Sequence, residues 1–424
     1  MIILIVLSLA IGILFWANNR SFINPVTVFS FLWAFIFVLY KLNILGYYDL
    51  NLETTAIYYI QMIAFAIGGG LAIKVFATQK HRPSDGNATV LRRGLLCVLG
   101  IITVVFLFGV SIYVIRELLN GKTLYDITSE GDIINENNST GITVGIKMFI
   151  IDPVIAMISP IVASEVTKRD APYKKSLFLL NVVIVLLHTL QHGGRDMLIV
   201  FGISYVFAYF MTKRSDINLV ISRRMKCAIL ILGAAVIGFS VWVSSSRGID
   251  DLSDSLYFYF SGAVPHLQSC IKQISTDDMT WGLGALYGIL YPIAVGLRGV
   301  GLIPNMPKVI EQITENQSIA ENYKLIGSNI SINAHVGASY YFYCDGGIPF
   351  VLIGCLAFGF AAGWVYKKVL SNPTTKNMAI YAFFMCVVGM SFIRFQIFTR
   401  KYALALLYII VLMYQRKGVK NDNT

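Results

Sequence analysis

Long apolar runs, separated by short polar stretches, dominate the pattern of this chain. The first four cover residues 1–17, 25–42, 55–77 and 94–115. Each has 17–23 residues, close to the roughly 20 that a helix needs to cross a hydrocarbon core about 30 Å thick. We predict helices, because an isolated strand would leave backbone groups unpaired in lipid. The first run lacks a basic flank and a small-residue cleavage site, which favours a span over a signal peptide.

Seven further runs bring the prediction to about 11 spans in an all-α, polytopic transmembrane bundle. They cover residues 143–164, 176–191, 196–212, 227–243, 348–366, 377–393 and 402–414. The stretches 256–274 and 281–301 are less clear: polar residues recur at helical spacing in the first, and glycines and a proline break the second. We expect surface or re-entrant elements there; if both cross, the count is 13. The predicted regions are a bundle over 1–243, an outer loop over 244–347, spans over 348–414 and a tail over 415–424.

Charge adds an orientation to this pattern. Only 13% of the residues are charged, and the mean hydropathy is +0.68, whereas soluble domains carry about 25% charged residues. Alternating loops place 21 of the 34 lysines and arginines, with only five acids, on one side. Because basic loops stay in the cytoplasm, we predict an outer N-terminus and a cytoplasmic C-terminus. The net charge of +11 therefore reports orientation and does not indicate nucleic-acid binding.

Several chemistries find no support in the sequence. There is no GxxxxGK[ST], HExxH or GxSxG motif, which disfavours ATP-driven transport, metalloprotease and lipase functions. The six cysteines have no CxxC or CxxH spacing. Four lie in apolar runs, where a buried thiol is expected, and a pairing of Cys270 with Cys344 stays open. We predict no metal and no cofactor.

Arginines on the outer side are the first candidate functional residues. They run against the positive-inside bias, and a charge near membrane depth is costly unless a partner or a function compensates it. Arg195 lies in an HGGRD hinge between two apolar runs, and Arg247 follows a span in SSSRG. The other members are Arg116, Arg298, Arg394 and Arg400.

Guanidinium groups suit a lipid diphosphate, because they bind phosphate in a bidentate way and stay charged. We predict catalytic roles for Arg195 and Arg247, and substrate binding for Arg298, Arg394 and Arg400. Any single one of them is also consistent with a snorkelling interfacial charge, or with an ion pair to Asp196 or Asp250.

The segment NAHVGASYYFYCDGGIPF, residues 333–350, is the second candidate region. His335 has the pKa range of a general base, although a structural interfacial histidine fits equally well. His266 in SGAVPHLQ is a weaker candidate of the same kind. Asp345 more plausibly caps the next helix than catalyses.

Aromatic and acidic groups complete the outer side. Tyr257 and Tyr341, within aromatic runs at 257–260 and 340–343, are candidates for stacking on sugar rings, or belong to the interfacial aromatic belt. The acidic pairs 250–251 and 277–278 are candidates for a divalent cation with phosphate, or form solvated loop faces, which we favour.

Together these features resemble the bacterial oligosaccharide repeat-unit polymerases, the Wzy-type O-antigen and capsule polymerases. The resemblance rests on the span count with one dominant late outer loop and on four short motifs. These motifs are GGR at 193–195, SRG at 246–248, the Tyr/Phe–Ser–Gly segment at 257–262, and 333–347, which resembles an N…Y-x-D-F-G-x-x-G stretch with Gly346 in place of its Phe. His335 also resembles the histidine before a Gly-rich span in O-antigen ligases.

The resemblance implies a metal-independent glycosyltransferase at the outer face of the bacterial cytoplasmic membrane. The growing glycan would leave undecaprenyl diphosphate and join a sugar hydroxyl of a new lipid-linked unit, as in lipopolysaccharide or capsule biosynthesis. The arginines would stabilise the departing diphosphate, and His335 would accept the proton. The implied partners are the lipid-linked oligosaccharide, membrane lipids and a chain-length regulator protein. An O-antigen ligase-like transferase, a lipid-linked oligosaccharide flippase and a metal-dependent glycosyltransferase are the alternatives.

Overall fold

The computed structural model describes residues 1–75, 89–122, 127, 141–167, 173–192, 194–214 and 252–415. Helices make up 79% of it, and sheet is almost absent. The predicted all-α class is therefore confirmed. The predicted span 227–243 and the tail beyond Gln415 lie outside the described residues.

Eight of the helical segments are long and apolar enough to cross a membrane. They are α1 (Ile2–Asn19), α2 (Pro25–Leu42), α3 (Leu52–Val75), α4 (Arg93–Leu119), the segment Ile142–Val166, α7 (Lys174–His192), α8 (Asp196–Arg214) and α13 (Ala338–Ser371). The segment Ile142–Val166 comprises α5 (Gly141–Ile146), a π-turn (Lys147–Ile151) and α6 (Asp152–Val166). These helices indicate a polytopic membrane protein.

The described helices do not establish the predicted count of about 11 spans. The predicted spans 377–393 and 402–414 correspond to shorter helices, α14 (Thr375–Gly389, 15 residues) and α15 (Arg400–Leu412, 13 residues). The stretch 256–274 is divided at Gly262 into α9 (Leu252–Ser261) and α10 (Ala263–Ile271). The stretch 281–301 forms a 3-10 turn (Gly284–Leu286) and α11 (Tyr287–Gly299).

The remaining elements are short. They are α12 (Lys308–Glu321), the 3-10 turns Thr276–Asp278 and Gln396–Phe398, and the strands β1 (Thr89–Leu91), β2 (Lys324–Leu325), β3 (Ser331–Ile332) and β4 (Met413–Gln415). The strands form two antiparallel ladders, β1 with β4 and β2 with β3.

The chain divides into two compact units. The first comprises Met1–Gln79, Ser253–Lys368 and Phe384–Ala403, and the second comprises Lys80–Leu252, Val369–Phe383 and Leu404–Thr424. The first unit holds α1–α3, α9–α12, most of α13 and the turn between α14 and α15. The second unit holds β1, α4–α8, β4 and most of α15.

Glycines bring α3 and α13 backbone to backbone in the first unit. A Cβ added at Gly359 would overlap the carbonyl oxygen of Phe65, and one at Gly363 would lie 2.7 Å from that of Gly69. On α3, Gly68 meets the carbonyl of Leu356 in the same way. Small residues spaced by four let membrane helices approach closely where no hydrophobic effect drives association.

Polar contacts link helices of the second unit. Asn181, which is fully buried, lies between Ser159 and Tyr205, with hydrogen bonds of 3.0 and 3.2 Å. Near the start of α4, Arg93 lies 3.5 Å from the carboxylate of Glu165, whose side chain is 1% exposed. Buried polar groups need such partners, because water is absent at membrane depth.

Loops that the sequence assigns to one side of the membrane meet within each unit. In the first unit, Tyr47 pairs with Gly327, and the amide of Val336 donates to the carbonyl of Ile393. Tyr47, Gly327 and Val336 belong to predicted outer loops, and Ile393 is the last residue of the predicted span 377–393, at its outer end. In the second unit, β1 comes from a loop predicted on the cytoplasmic side. It pairs with β4, which covers the end of the predicted span 402–414 and the first residue of the predicted cytoplasmic tail. The predicted alternation of loops is therefore consistent with the pairing in each unit.

Candidate functional site

His335 lies on a short connection between β3 and α13 that backbone hydrogen bonds hold on both sides. The preceding amide of Ala334 donates to the carbonyl of Ala320 at 2.7 Å. The following amides of Val336 and Gly337 both donate to the carbonyl of Ile393, at 3.1 and 3.3 Å. The position of His335 is thus set jointly by the end of α12 and by the turn between α14 and α15.

Two aromatic side chains from α9 and α10 surround His335. The ring of Tyr259 lies edge-on to the imidazole, with centroids 4.9 Å apart. His266 is fully buried, and its Nδ1 lies 2.9 Å from the carbonyl oxygen of His335. Because a carbonyl only accepts hydrogen bonds, Nδ1 of His266 must carry the proton. His335 itself is half-buried, and its Nδ1 is shielded from solvent.

Both histidines are neutral at ordinary pH. Burial lowers the pKa of His335 to about 3, and the positive charges of Arg394 and of a protonated His266 lower it further. Burial also lowers the pKa of His266 to about 4, against the opposing effect of its hydrogen bond to His335. Desolvation disfavours the charged imidazolium, which explains the direction of both shifts. His335 is therefore available as a proton acceptor, but a weak one.

Among the charged groups that act on His335, Arg394 has the largest effect on its pKa. It follows Ile393 in the same turn, and its guanidinium lies 3.6 Å from the carboxylate of Glu321 at the end of α12. Their side chains are 27% and 57% exposed, so this pair is solvent-screened and contributes little to stability. A half-exposed guanidinium with an exposed partner can exchange that carboxylate for a phosphate oxygen.

Arg400 and Arg298 belong to the same unit. Arg400, at the start of α15, lies over the ring of Tyr291 at 5.4 Å from the centroid, in a cation–π contact. Arg298 is exposed near the end of α11. The structure therefore brings Arg394 and His335 together and places Arg400 on an aromatic surface, while Arg298 points outward.

Arg195 and Arg247, the two arginines predicted to be catalytic, lie outside the described part of the first unit. Arg195 lies in the hinge between α7 and α8, in the second unit, where the sequence predicts it. Arg247, Asp250 and Asp251 lie outside the described residues, whereas Arg116 lies in the last turn of α4. Their roles stay predictions.

Tyr257 and Tyr341, predicted to bind sugar, are buried. The Tyr257 hydroxyl donates to the carbonyl of Leu39 at 2.7 Å and accepts from the amide of Ile44 at 3.0 Å. Tyr341 packs against Phe398, with ring centroids 4.7 Å apart. In this structure these contacts give both tyrosines packing roles, and neither presents a ring face for stacking on a sugar.

Two acidic residues of the described outer loops, Asp345 and Asp278, act as caps. Asp345 accepts hydrogen bonds from the Thr280 hydroxyl and from the amides of Gly284 and Ala285, at 2.5, 2.7 and 2.9 Å. It therefore caps the start of the 284–299 helical segment, rather than the helix that follows it in sequence. Asp278 forms a capping box with Ser275. Within the described ranges, no three His, Cys, Asp or Glu residues cluster to bind a metal.

Two features of the site were not anticipated from the sequence. Glu321 was not singled out as a partner of Arg394, and His266 was not predicted to contact His335. Cys270 and Cys344, for which pairing was left open, are free and buried. The polar residue His266 within the apolar SGAVPHLQ segment was the one available signal, because a buried polar group requires a hydrogen-bond partner.

The fold and site define a helical membrane protein with a histidine–arginine group in one unit. Comparisons with protein-family models, with curated proteins and with solved structures found no match.

Proposed function

We propose that this protein polymerises lipid-linked oligosaccharide repeat units. It would transfer the growing glycan from undecaprenyl diphosphate to a sugar hydroxyl of a new lipid-linked unit. The reaction needs a proton acceptor for the hydroxyl and cations for the departing diphosphate. The observation that carries the proposal is the joint placement of neutral His335 and half-exposed Arg394, held together by the hydrogen bonds from Val336 and Gly337 to Ile393.

The chemical step uses these groups directly. The acceptor hydroxyl oxygen forms a bond to the anomeric carbon of the growing chain, and the bond from that carbon to the diphosphate oxygen breaks. His335 takes the hydroxyl proton, and the bond electrons leave with the diphosphate. Arg394, assisted by Arg400, would stabilise the negative charge that develops there. The roles of Arg195, Arg247 and Arg298 stay predictions from the sequence.

Substrate charge would tune the base in this proposal. Arg394 is one of the causes that lower the pKa of His335. A diphosphate bound at Arg394 would offset its positive charge and stabilise the imidazolium. The pKa of His335 would then rise toward the working pH, where a general base is most effective.

The proposed location is the bacterial cytoplasmic membrane, with the site at the outer face. The asymmetry of basic residues between alternating loops supports this orientation. A reporter fused after Lys420 should be active in the cytoplasm, and one inserted near Asn316 should report the outside. Reversed results at both positions would contradict the placement of the site.

Deletion in the native host tests the proposed function against its alternatives. Loss of a polymerase leaves surface glycan with a single capped repeat unit, which a gel of surface polysaccharide shows as one short band. Loss of a ligase or a flippase does not leave this product. Retention of long polymer, or absence of the single-unit band, would overturn the proposal.

A further inference from the structure

One face of the segment from Trp281 to Leu302 exposes large aliphatic side chains outside the eight candidate spans. Along α11 these side chains are Leu286, Ile289, Ile293 and Leu297, with exposed fractions between 38% and 54%. Their spacing of three and four residues puts them in one row on the helix. An exposed apolar row of this kind marks a binding surface.

The opposite face of α11 packs against the rest of the first unit. Tyr287, Pro292 and Ala294 are buried. Tyr287 stacks on Phe398 with centroids 5.5 Å apart, and its hydroxyl bonds the Thr314 hydroxyl at 3.2 Å. The helix therefore docks on the protein through aromatic and small residues and leaves its aliphatic row outward.

Charge and length restrict what can cover this row. Arg298 is the only charged residue between Trp281 and Leu302, and it is exposed. A helix that exposes a row of aliphatic side chains and one cation near its end complements acyl chains capped by anionic headgroups. With 13 residues, α11 is about 20 Å long, too short to cross a core of about 30 Å.

The segment that carries the row contacts a candidate span where the segment begins. Trp281, which is 69% exposed, lies edge-on to Phe350 of α13, with ring centroids 6.3 Å apart. Beside Phe350, the α13 residues Leu352 and Ile353 are 48% and 60% exposed. In a membrane-spanning helix such exposed aliphatic residues face lipid.

We infer that membrane lipid covers the row Leu286, Ile289, Ile293 and Leu297, with a headgroup phosphate at Arg298. Helix α11 is then an interfacial helix that adds its outward face to the lipid-facing surface of α13. This surface is separate from the contacts of His335 and requires no particular reaction. Lipid then covers one face of α11. Tyr291, over whose ring Arg400 lies, is on the opposite face of the same helix.

Fluorescence quenching tests the inference without any activity assay. The full-length chain, with Cys97→Ser and Cys227→Ser, carries a bimane label at Ile293→Cys or Ile289→Cys. The control label is at Glu315→Cys, an exposed position on α12. Each protein is reconstituted in phosphatidylcholine–phosphatidylglycerol vesicles and titrated with doxyl-labelled lipid or with aqueous iodide.

Labels at positions 289 and 293 should be quenched by doxyl lipid and little by iodide, and the label at position 315 should show the reverse. If iodide quenched the labels at 289 and 293 as strongly as the control, the row would face water. If neither quencher reached them, another protein surface, such as a second copy of this chain, would cover the row. Either result would overturn the inference.

Discussion

The imidazole of His335 lies among Tyr259, His266 and Arg394, and this environment lowers its pKa. Burial and Arg394 both act against the charged form. The chemistry of the site therefore depends on neighbours contributed by α9, α10 and the turn between α14 and α15. Two predictions at the residue scale follow from these neighbours.

Removal of the Arg394 charge should raise the pKa of His335. With Arg394→Gln, one positive charge no longer disfavours the imidazolium, so His335 gains its proton at a higher pH. The acid limb of the profile of kcat/KM against pH should shift to higher pH, although the maximal rate should fall. Glu321→Gln removes a negative charge and should shift the acid limb to lower pH. The exposed control Lys272→Gln should leave the limb where it is. An unchanged limb in Arg394→Gln would contradict the assignment of His335 as the base.

His266 should act on His335 by positioning it. Because its Nδ1–H donates to the His335 carbonyl, His266→Asn can keep that donor, whereas His266→Leu cannot. We expect His266→Asn to retain most of the activity and His266→Leu to lose about 10-fold, close to the value of one hydrogen bond, about 0.5–1.5 kcal/mol. Chemical modification of His335 by diethylpyrocarbonate provides a second readout. Equal loss of activity in both variants, at equal amounts of folded protein, would contradict the positioning role.

The sequence indicated His335 and the arginines by type and side, but it did not indicate which of them meet. His266 and His335 are 69 residues apart, and their contact arises because α10 is buried beside the connection that carries His335. Tyr257 illustrates a second limit of the sequence, which suggested a role for this residue that differs from its contacts. Its aromatic context favoured sugar stacking or a membrane belt, yet its hydroxyl bonds two backbone groups of the α2 end.

At the element scale, hydropathy indicated where most of the described helices lie, but it did not give the bounds of the short ones. The stretch 256–274, where polar residues recur at helical spacing, forms two helices that are separated at Gly262. Hydropathy does not distinguish lipid from protein as the surrounding medium, and α10 is almost entirely buried in protein. The Gly359–Gly363 spacing on α13 is visible in the sequence, but its partner helix α3 is not.

Close packing at these glycines should make α13 intolerant of side chains. Gly359→Ala places a Cβ against the Phe65 carbonyl, and overpacking of this kind typically costs about 1–3 kcal/mol. Gly109→Ala in α4 meets nothing within 4 Å and should be neutral or slightly stabilising. Thermal unfolding of both variants in detergent measures the difference. Equal Tm values would contradict the backbone-to-backbone packing of α3 and α13.

At the scale of the whole molecule, the long apolar helices indicate a membrane protein, and the proposed reaction takes place at its outer face. The all-α class could be predicted, because apolar runs of about 20 residues have few alternatives in lipid. The span count could not, because helices of 13–15 residues, such as α14 and α15, do not settle by length alone whether they cross. In the first unit, Tyr47 and Gly327, from two loops predicted on the outer side, pair with each other, which is consistent with the predicted alternation of loops.

Polymerisation by the purified protein is the most direct test of the central claim. The full chain is reconstituted in liposomes with a lipid-linked repeat unit, with and without EDTA, and the products are separated by size. The account predicts a ladder of polymers that EDTA does not abolish. It also predicts a loss of about 10²–10⁴-fold in rate for His335→Ala, the usual contribution of a general base, with Lys272→Ala as the matched control. A ladder formed equally by His335→Ala, or abolished by EDTA in the wild type, would contradict the account.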